Sequence, residues 1–140
     1  MTALPSGIDE GMEPPHRRTY LEITGLRLVS RANSRRHWRT VHADDKRTRA
    51  AVHALLSSSL SPWEHVVPRE IIIDRHGPRL LDDDNLAGSG KAVRDAIARF
   101  FGVDDGPRGP MRWRYEQTKN RIYGVAICLI YRHAEDACED

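Results

Sequence analysis

Two runs of aspartates are the side chains in this sequence whose type and spacing could do chemistry. Asp82, Asp83 and Asp84 follow an apolar pair, and Asp104 and Asp105 follow the next helical segment. Carboxylates about 4 Å apart repel by ~4 kcal/mol at an effective dielectric constant of about 20, so they need a cation, a proton or separation. If the first run is strand-like, Asp82 and Asp84 point the same way and can share one ion.

A magnesium ion would relieve this repulsion. Mg²⁺ prefers oxygen ligands and keeps several waters, which leaves positions open for a phosphate oxygen and an attacking water. No His or Cys accompanies the carboxylates, so Mg²⁺ or Mn²⁺ is expected rather than zinc. The alternative is a pair of solvated loops flanking a helix. Asp104 and Asp105 fit that alternative less well, because the C-terminal end of a helix disfavours anions by a few tenths to ~1 kcal/mol.

Hydrophobic periodicity predicts a small α+β domain around these carboxylates. Helices are predicted at about 43–56 and up to 101, where Gly102 ends the second. Asp84, Asn85 or Ser89 could be the N-cap of that helix. The sequence predicts four strands, at 20–29, 66–74, 111–117 and 122–131.

The predicted strands carry three further signals. The apolar alternation of the first shifts phase at Gly25, as a bulge or bend would cause. The third places Met111, Trp113 and Tyr115 on one face and alternates them with charged residues. The fourth is apolar on both faces, which is typical of a central strand.

Length and composition limit the class of protein. With 140 residues the chain has room for one domain, predicted at 20–133, between a flexible arm (1–19) and an acidic tail (134–140). No apolar run approaches the ~20 residues of a membrane span. The two cysteines, Cys128 and Cys138, cannot form a disulfide framework or a Cys-rich zinc site, so a cytoplasmic location is expected.

A basic segment precedes and enters the first predicted helix. Between Arg31 and Arg49 there are seven Lys or Arg residues against Asp44 and Asp45. Such a patch suits a polyanion, although a solvated helix face is the competing interpretation. Gly88-Ser89-Gly90-Lys91 does not make a phosphate-binding loop, because the upstream glycine is missing and Ala92 replaces the required Ser or Thr.

Three stretches together resemble the signature of the RusA-like Holliday junction resolvases. That signature is an Asp-x-Asp-Asn-Leu run, a lysine and an Asp-Ala pair on the next helix, and a following Asp-Asp pair. Here these are Leu81–Leu86, Lys91–Ile97 and Gly102–Asp105. A looser similarity covers 33–52. The residues that match there are Asn33, Trp38, Arg39, Lys46 and Arg49. Together, the resemblance spans roughly 20–131.

The resemblance implies a fold and a set of site residues. The fold would be a small mixed sheet with two main helices packed on it. Asp82, Asp84 and Asp105 match the family's catalytic metal-binding aspartates, and Asp104 is a further candidate ligand. Lys91 matches its catalytic lysine, although the stretch 87–90 before it holds three residues more than the shortest form of the motif. An ordinary surface lysine is the alternative.

The implied activity is Mg²⁺-dependent cleavage of four-way DNA junctions by a homodimer with one metal site per subunit. The basic segment would hold backbone phosphates through Arg35, Arg36, Arg39 and Lys46. A catalytically silent module that binds branched DNA is the alternative, and the extra residues before Lys91 permit it. A third interpretation, an acidic-loop protein that binds a cationic partner, leaves the basic segment unexplained. The small size fits a phage or prophage origin.

Overall fold

A computed structural model of the protein describes residues 18–28 and 38–131. They form a four-stranded mixed sheet with helices packed on one face, which confirms the predicted α+β class. The predicted tail and most of the predicted arm lie outside the described residues, but β1 begins at Arg18, within that arm. In chain order the elements are β1 (Arg18–Thr24), α1 (Trp38–Ser59), a 3₁₀ turn (Pro62–His65), β2 (Glu70–Gly77), α2 (Asp83–Ser89), α3 (Lys91–Phe101), β3 (Arg112–Lys119) and β4 (Gly124–Ile130).

The sheet has the order β1-β4-β2-β3. β4 runs antiparallel to both neighbours, while β3 lies parallel to β2 at an edge of the sheet. The prediction that the last strand is central is therefore confirmed. On β3, Trp113 and Tyr115 pack against the core, whereas Arg112, Arg114 and Glu116 are exposed, so the predicted faces are also confirmed.

The core lies between the sheet and the two long helices, α1 and α3. Val52 and Leu56 of α1 and Val93 and Ile97 of α3 are fully buried. Burying each such side chain contributes roughly 1.5–3 kcal/mol, so this layer fixes how α3 sits on the sheet. Among the described residues, no helix is long and apolar enough to span a membrane. The sheet residues that complete this core include Ile71, Ile73, Val125, Ile127 and Leu129.

The boundaries of several elements differ from those predicted. β1 ends at Thr24, because Gly25 adopts a φ of +89° and donates its N–H to the carbonyl of Tyr123 at 2.7 Å. Gly25 therefore lies in a turn and does not form a bulge. α1 is longer than the apolar periodicity predicts, since its first turns carry exposed polar side chains. β2 begins at Glu70 and continues to Gly77, where a turn was predicted.

The second predicted helix is two helices joined at Gly90. The N–H of Gly90 bonds to the carbonyls of Leu86 and Ala87, both at 3.2 Å, and α3 begins at the next residue. A Cβ on Gly90 would lie 2.8 Å from Cε1 of Tyr115, whereas one on Gly88 would meet nothing within 4 Å. A close contact between α3 and β3 therefore requires glycine at this position.

This contact predicts opposite effects for two neighbouring substitutions. Gly90→Ala must displace the Tyr115 ring and should lower the free energy of unfolding by about 1–3 kcal/mol. Gly88→Ala, in open space within α2, should raise it by up to ~1 kcal/mol through helix propensity. Urea denaturation of both variants measures this. Equal effects would show that Gly90 is not required for packing.

Candidate metal centre

Two carboxyl groups meet beside α3. The side chains of Asp95 and Asp105 line one cavity, which Asp104 also lines. Burial raises the pKa of Asp95, and the hydrogen bond with Asp105 raises it further, while Lys91 and Arg49 act in the opposite direction. The pair has the electrostatic character of a site that stabilises a proton or a cation.

Arg94 holds the second member of this pair in place. Its guanidinium donates Nε–H to the carbonyl oxygen of Asp105 at 2.9 Å, and a second N–H reaches the same oxygen. The guanidinium also lies 3.4 Å from the Tyr115 hydroxyl and 4.7 Å from the centre of the Trp113 ring. One side chain thus joins α3, β3 and the acidic loop.

The loop that carries Asp105 begins at the end of α3. Gly102 adopts a φ of +69°, and the N–H of Val103 bonds to the carbonyl of Ala98 at 3.0 Å, as in a Schellman motif. Asp104 then accepts the N–H of Gly106 at 3.0 Å. The sequence left open which of the two aspartates faces a ligand. Asp104 caps its own turn, and Asp105 meets Asp95.

Asp82 and Asp84 do not share one face of a strand, so that prediction is wrong, because α2 begins within this run of aspartates. Asp82 is the N-cap, and its carboxylate accepts the backbone N–H of Asn85 at 2.9 Å and the side-chain amide of Asn85 at 3.0 Å. Asp84 lies in the first helical turn. Unsatisfied N–H groups and the helix dipole favour carboxylates there, which outweighs the extended backbone that alternation requires. Both aspartates are exposed.

A side-chain amide of β3 positions the entry to α2. Gln117 accepts the N–H of Leu81 at 2.9 Å and donates to its carbonyl at 2.6 Å. Arg75, buried in β2, donates to the carbonyl of Arg79 at 2.8 Å. The connection that ends at Asp82 is therefore anchored to the two neighbouring strands.

The four acidic positions do not form one closed site. Within residues 18–28 and 38–131, no three His, Cys, Asp or Glu side chains are grouped to hold a metal ion. The structure pairs Asp105 with Asp95 instead. Mg²⁺ commonly uses only one or two carboxylates together with waters and substrate phosphates, so this pair fits its donor chemistry.

Lys91 lies on the same side of α3 as the carboxyl pair. Its Nζ is 3.9 Å from Oδ2 of Asp95, and its side chain is 60% exposed. Val93 and Ile97 are buried on the other side of the helix. Lys91 can therefore meet a ligand that approaches Asp95.

The predicted DNA-contacting residues are distributed over two regions. Arg35 and Arg36 lie outside the described residues. Arg39 is exposed near the start of α1, with its guanidinium 5.3 Å from the centre of the Trp38 ring. Lys46 lines a cavity between α1 and α3 together with Arg49.

Sequence reasoning missed Asp95 as the partner of Asp105. The available signal was the Asp-Ala pair of the motif, with Asp95 one helical turn after Lys91. It also missed Arg99, which lines both the cavity with Lys46 and a neighbouring cavity with Asp95 and Asp105. Asp95 and Arg99 are one helical turn apart, and this spacing could have indicated that they share one face of α3.

No family model matches the chain, and no curated protein sequence is significantly similar to it. The resemblance to RusA-like resolvases therefore rests on the motif residues alone. The positions of the carboxyl pair and of the cations beside it do not depend on that resemblance.

The carboxyl pair predicts that Asp95→Asn stabilises the metal-free protein at neutral pH. The substitution removes a partly buried charge beside Asp105 and should raise the free energy of unfolding by a few tenths to about 1 kcal/mol, since water still reaches the group. A raised carboxyl pKa costs stability only where the group is ionised. The gain should therefore vanish near about pH 3, where the unfolded-state carboxyl is also mostly protonated.

Thermal melts in EDTA at both pH values measure this effect. Asp83→Asn is the control, because Asp83 is exposed in the first turn of α2 and its charge is favourable there. Destabilisation by Asp95→Asn at neutral pH would contradict the repulsive pair.

Proposed function

We propose that the protein is a Mg²⁺-dependent endodeoxyribonuclease that cleaves branched DNA such as four-way junctions. The observation that carries this proposal is the Asp95–Asp105 pair, which Arg94 fixes beside the cations of Lys91 and Arg49. Carboxylates for a hard cation thus lie next to positive charges suited to phosphate. The motif resemblance supports the choice of branched DNA as substrate.

Each residue of the site has a defined part in this proposal. Asp95 and Asp105 hold the ion, and Asp82 and Asp84 at the start of α2 are further candidate ligands. Bound Mg²⁺, or Mn²⁺, would acidify and orient water and neutralise charge on the scissile phosphate. Lys91 donates hydrogen bonds to phosphate oxygens as charge develops on them.

The surrounding elements keep this arrangement in place. Arg94 is a positioning residue, since it contacts the backbone of Asp105 and not a reacting group. Arg39 and Lys46 hold backbone phosphates, as do Arg35 and Arg36 in the proposal. A reducing cytoplasm is the proposed compartment. The buried free thiol of Cys128, whose pKa is raised by burial, is compatible with it.

A binding module without cleavage is the second candidate function. It is favoured by the exposed positions of Asp82 and Asp84 and by the absence of a three-residue metal group among the described residues. Against it, the Asp95–Asp105 pair places negative charge where a phosphate would approach. A protein that only binds DNA gains nothing from that charge.

Neutralising one member of the carboxyl pair should separate these functions. Asp105→Asn should reduce Mg²⁺-dependent nicking of synthetic four-way junctions by at least about a hundredfold while junction binding in EDTA is kept, because the ion loses a ligand. Asp83→Asn is the matched control and should retain activity. Gel assays of cleavage and of binding measure the two properties.

The outcomes of this experiment decide between the candidates. Mg²⁺-dependent nicking by the unaltered protein that Asp105→Asn leaves unchanged would contradict the assignment of the site. Tight junction binding without any nicking in Mg²⁺ or Mn²⁺ would support the binding module.

The proposed substrate also predicts a homodimer, because a junction offers two symmetric strands and a C₂ pair presents two identical sites. Trp38, 60% exposed at the start of α1, is the candidate anchor of the contact. Light scattering at micromolar concentration without DNA should give twice 16.0 kDa. Trp38→Ala should shift that mass toward the monomer, whereas Ala54→Ser on the same helix should not. A 16.0 kDa species for the unaltered protein would contradict a preformed dimer.

A further inference from the structure

A groove between α1 and α3 collects positive charge beside the carboxyl pair. Its cavity has a volume of about 340 Å³. Lys46, Arg49 and His53 line it from α1 and Arg99 from α3, and no carboxylate is among the described residues that line it. The composition of this groove is therefore suited to an anion.

Helical spacing explains why these side chains converge. Lys46, Arg49 and His53 follow one another at three and four residues, so they form one stripe along α1. Thr48, Val52 and Leu56 form the buried stripe of the same helix. On α3, Arg99 follows Asp95 by one helical turn and lies on the same face.

Two alanines keep the groove open. Ala50 of α1 and Ala96 of α3 line the cavity between the longer cationic side chains. Their methyl groups leave space between the helices that larger side chains would fill. Cavities of roughly 300 Å³ and above are large enough for small-molecule ligands, so a phosphate with part of its sugar can enter.

The charges of the groove are only partly balanced within the described part of the chain. Lys46 and Arg99 make no ion pair there, and Arg49 interacts favourably with Asp95. Like charges that face one groove repel each other, which costs free energy. An anion bound between them removes that cost.

The groove continues into the cavity of the carboxyl pair. Arg99 lines both cavities, and the neighbouring one, of about 350 Å³, is also lined by Asp95 and Asp105. An anion held by Arg99 would therefore be adjacent to the carboxylates. A polyanion with regularly spaced charges can occupy the groove and reach the carboxyl pair at once.

We infer that the α1–α3 groove binds the phosphodiester backbone of one DNA strand and leads that strand to the Asp95–Asp105 pair. The choice of DNA as the polyanion rests on the proposed function, whereas the anion-binding character of the groove does not. Arg49, His53 and Arg99 are then phosphate-contacting residues in addition to Lys46.

Removing two cations from the groove tests this inference. The Lys46→Ala, Arg99→Ala double variant should weaken binding of a dye-labelled DNA duplex at least about tenfold and reduce the salt slope by about two, since each lost phosphate contact removes about one released counterion. The control, Arg47→Ala with Arg112→Ala, removes the same charge from exposed positions outside the groove. Fluorescence anisotropy at several NaCl concentrations, in EDTA, measures both.

A second pair of variants adds charge instead of removing it. Ala50→Glu places a carboxylate in the groove, and Ala54→Glu places the same charge one turn further along α1, outside the cavity. Both positions are exposed, so both variants should fold. Ala50→Glu should weaken duplex binding at least about fivefold more than Ala54→Glu, because it opposes phosphate directly.

The assays in EDTA separate this inference from the proposed activity. If the unaltered protein nicks junctions in Mg²⁺ but the groove variants bind DNA like their controls, the groove inference is overturned and the nuclease is not. If the groove variants bind DNA more weakly and with a smaller salt slope, as expected, while no nicking occurs in Mg²⁺ or Mn²⁺, the groove inference is supported and the proposed nuclease activity is overturned.

Discussion

The guanidinium of Arg94 is the contact on which the candidate centre depends. Hydrogen bonds to a charged group contribute about 1.5–3 kcal/mol each, and Arg94 directs two of its N–H groups at the carbonyl of Asp105. Two ionised carboxylates about 4 Å apart repel by ~4 kcal/mol at an effective dielectric constant of about 20. The two hydrogen bonds of Arg94 are therefore comparable in strength to this repulsion and help to keep Asp105 beside Asp95. Burial raises the pKa of Asp95 most, and the hydrogen bond with Asp105 raises it further.

Charges of both signs lie around the contact between Arg94 and Asp105. Their arrangement suits a metal ion that also contacts a phosphate. Lys91 and Arg49 act on Asp95 from α3 and α1, and Arg99 continues the positive surface into the groove. A phosphate attracted by the cations would be repelled by the carboxylates unless a cation lay between them. In the proposed function the ion is therefore needed for phosphate to reach the carboxyl pair, whereas the α1–α3 groove, which no carboxylate of the described residues lines, can bind phosphate without it.

The sequence predicted those features that depend on local periodicity. β4 is apolar on both faces and is central, and Gly102 ends α3 in the left-handed conformation. The division at Gly90 depends on the Tyr115 ring from a distant strand, so no local pattern could show it. The Asp95–Asp105 pair likewise depends on a side chain reaching a loop beyond the end of its own helix. The sequence offers Asp84, Asn85 or Ser89 as the N-cap, whereas the N-cap in the structure is Asp82. The helix therefore begins inside the aspartate run, and the alternation expected for Asp82 and Asp84 does not apply.

The N-cap hydrogen bonds of Asp82 also affect how much free energy each candidate ligand would lose on binding a cation. Asp82 uses both carboxylate oxygens for Asn85, so binding a cation there competes with a cap that is typically worth about 1 kcal/mol. Neither Asp95 nor Asp105 is an N-cap of α2 or α3, and a cation would relieve the repulsion between the two carboxylates. Metal affinity should therefore come chiefly from the pair on α3 and its loop. In the proposed function, Asp82 and Asp84 at the start of α2 would contribute ligands only where a bound phosphate makes the loss of the cap favourable, which would couple their metal binding to the presence of substrate.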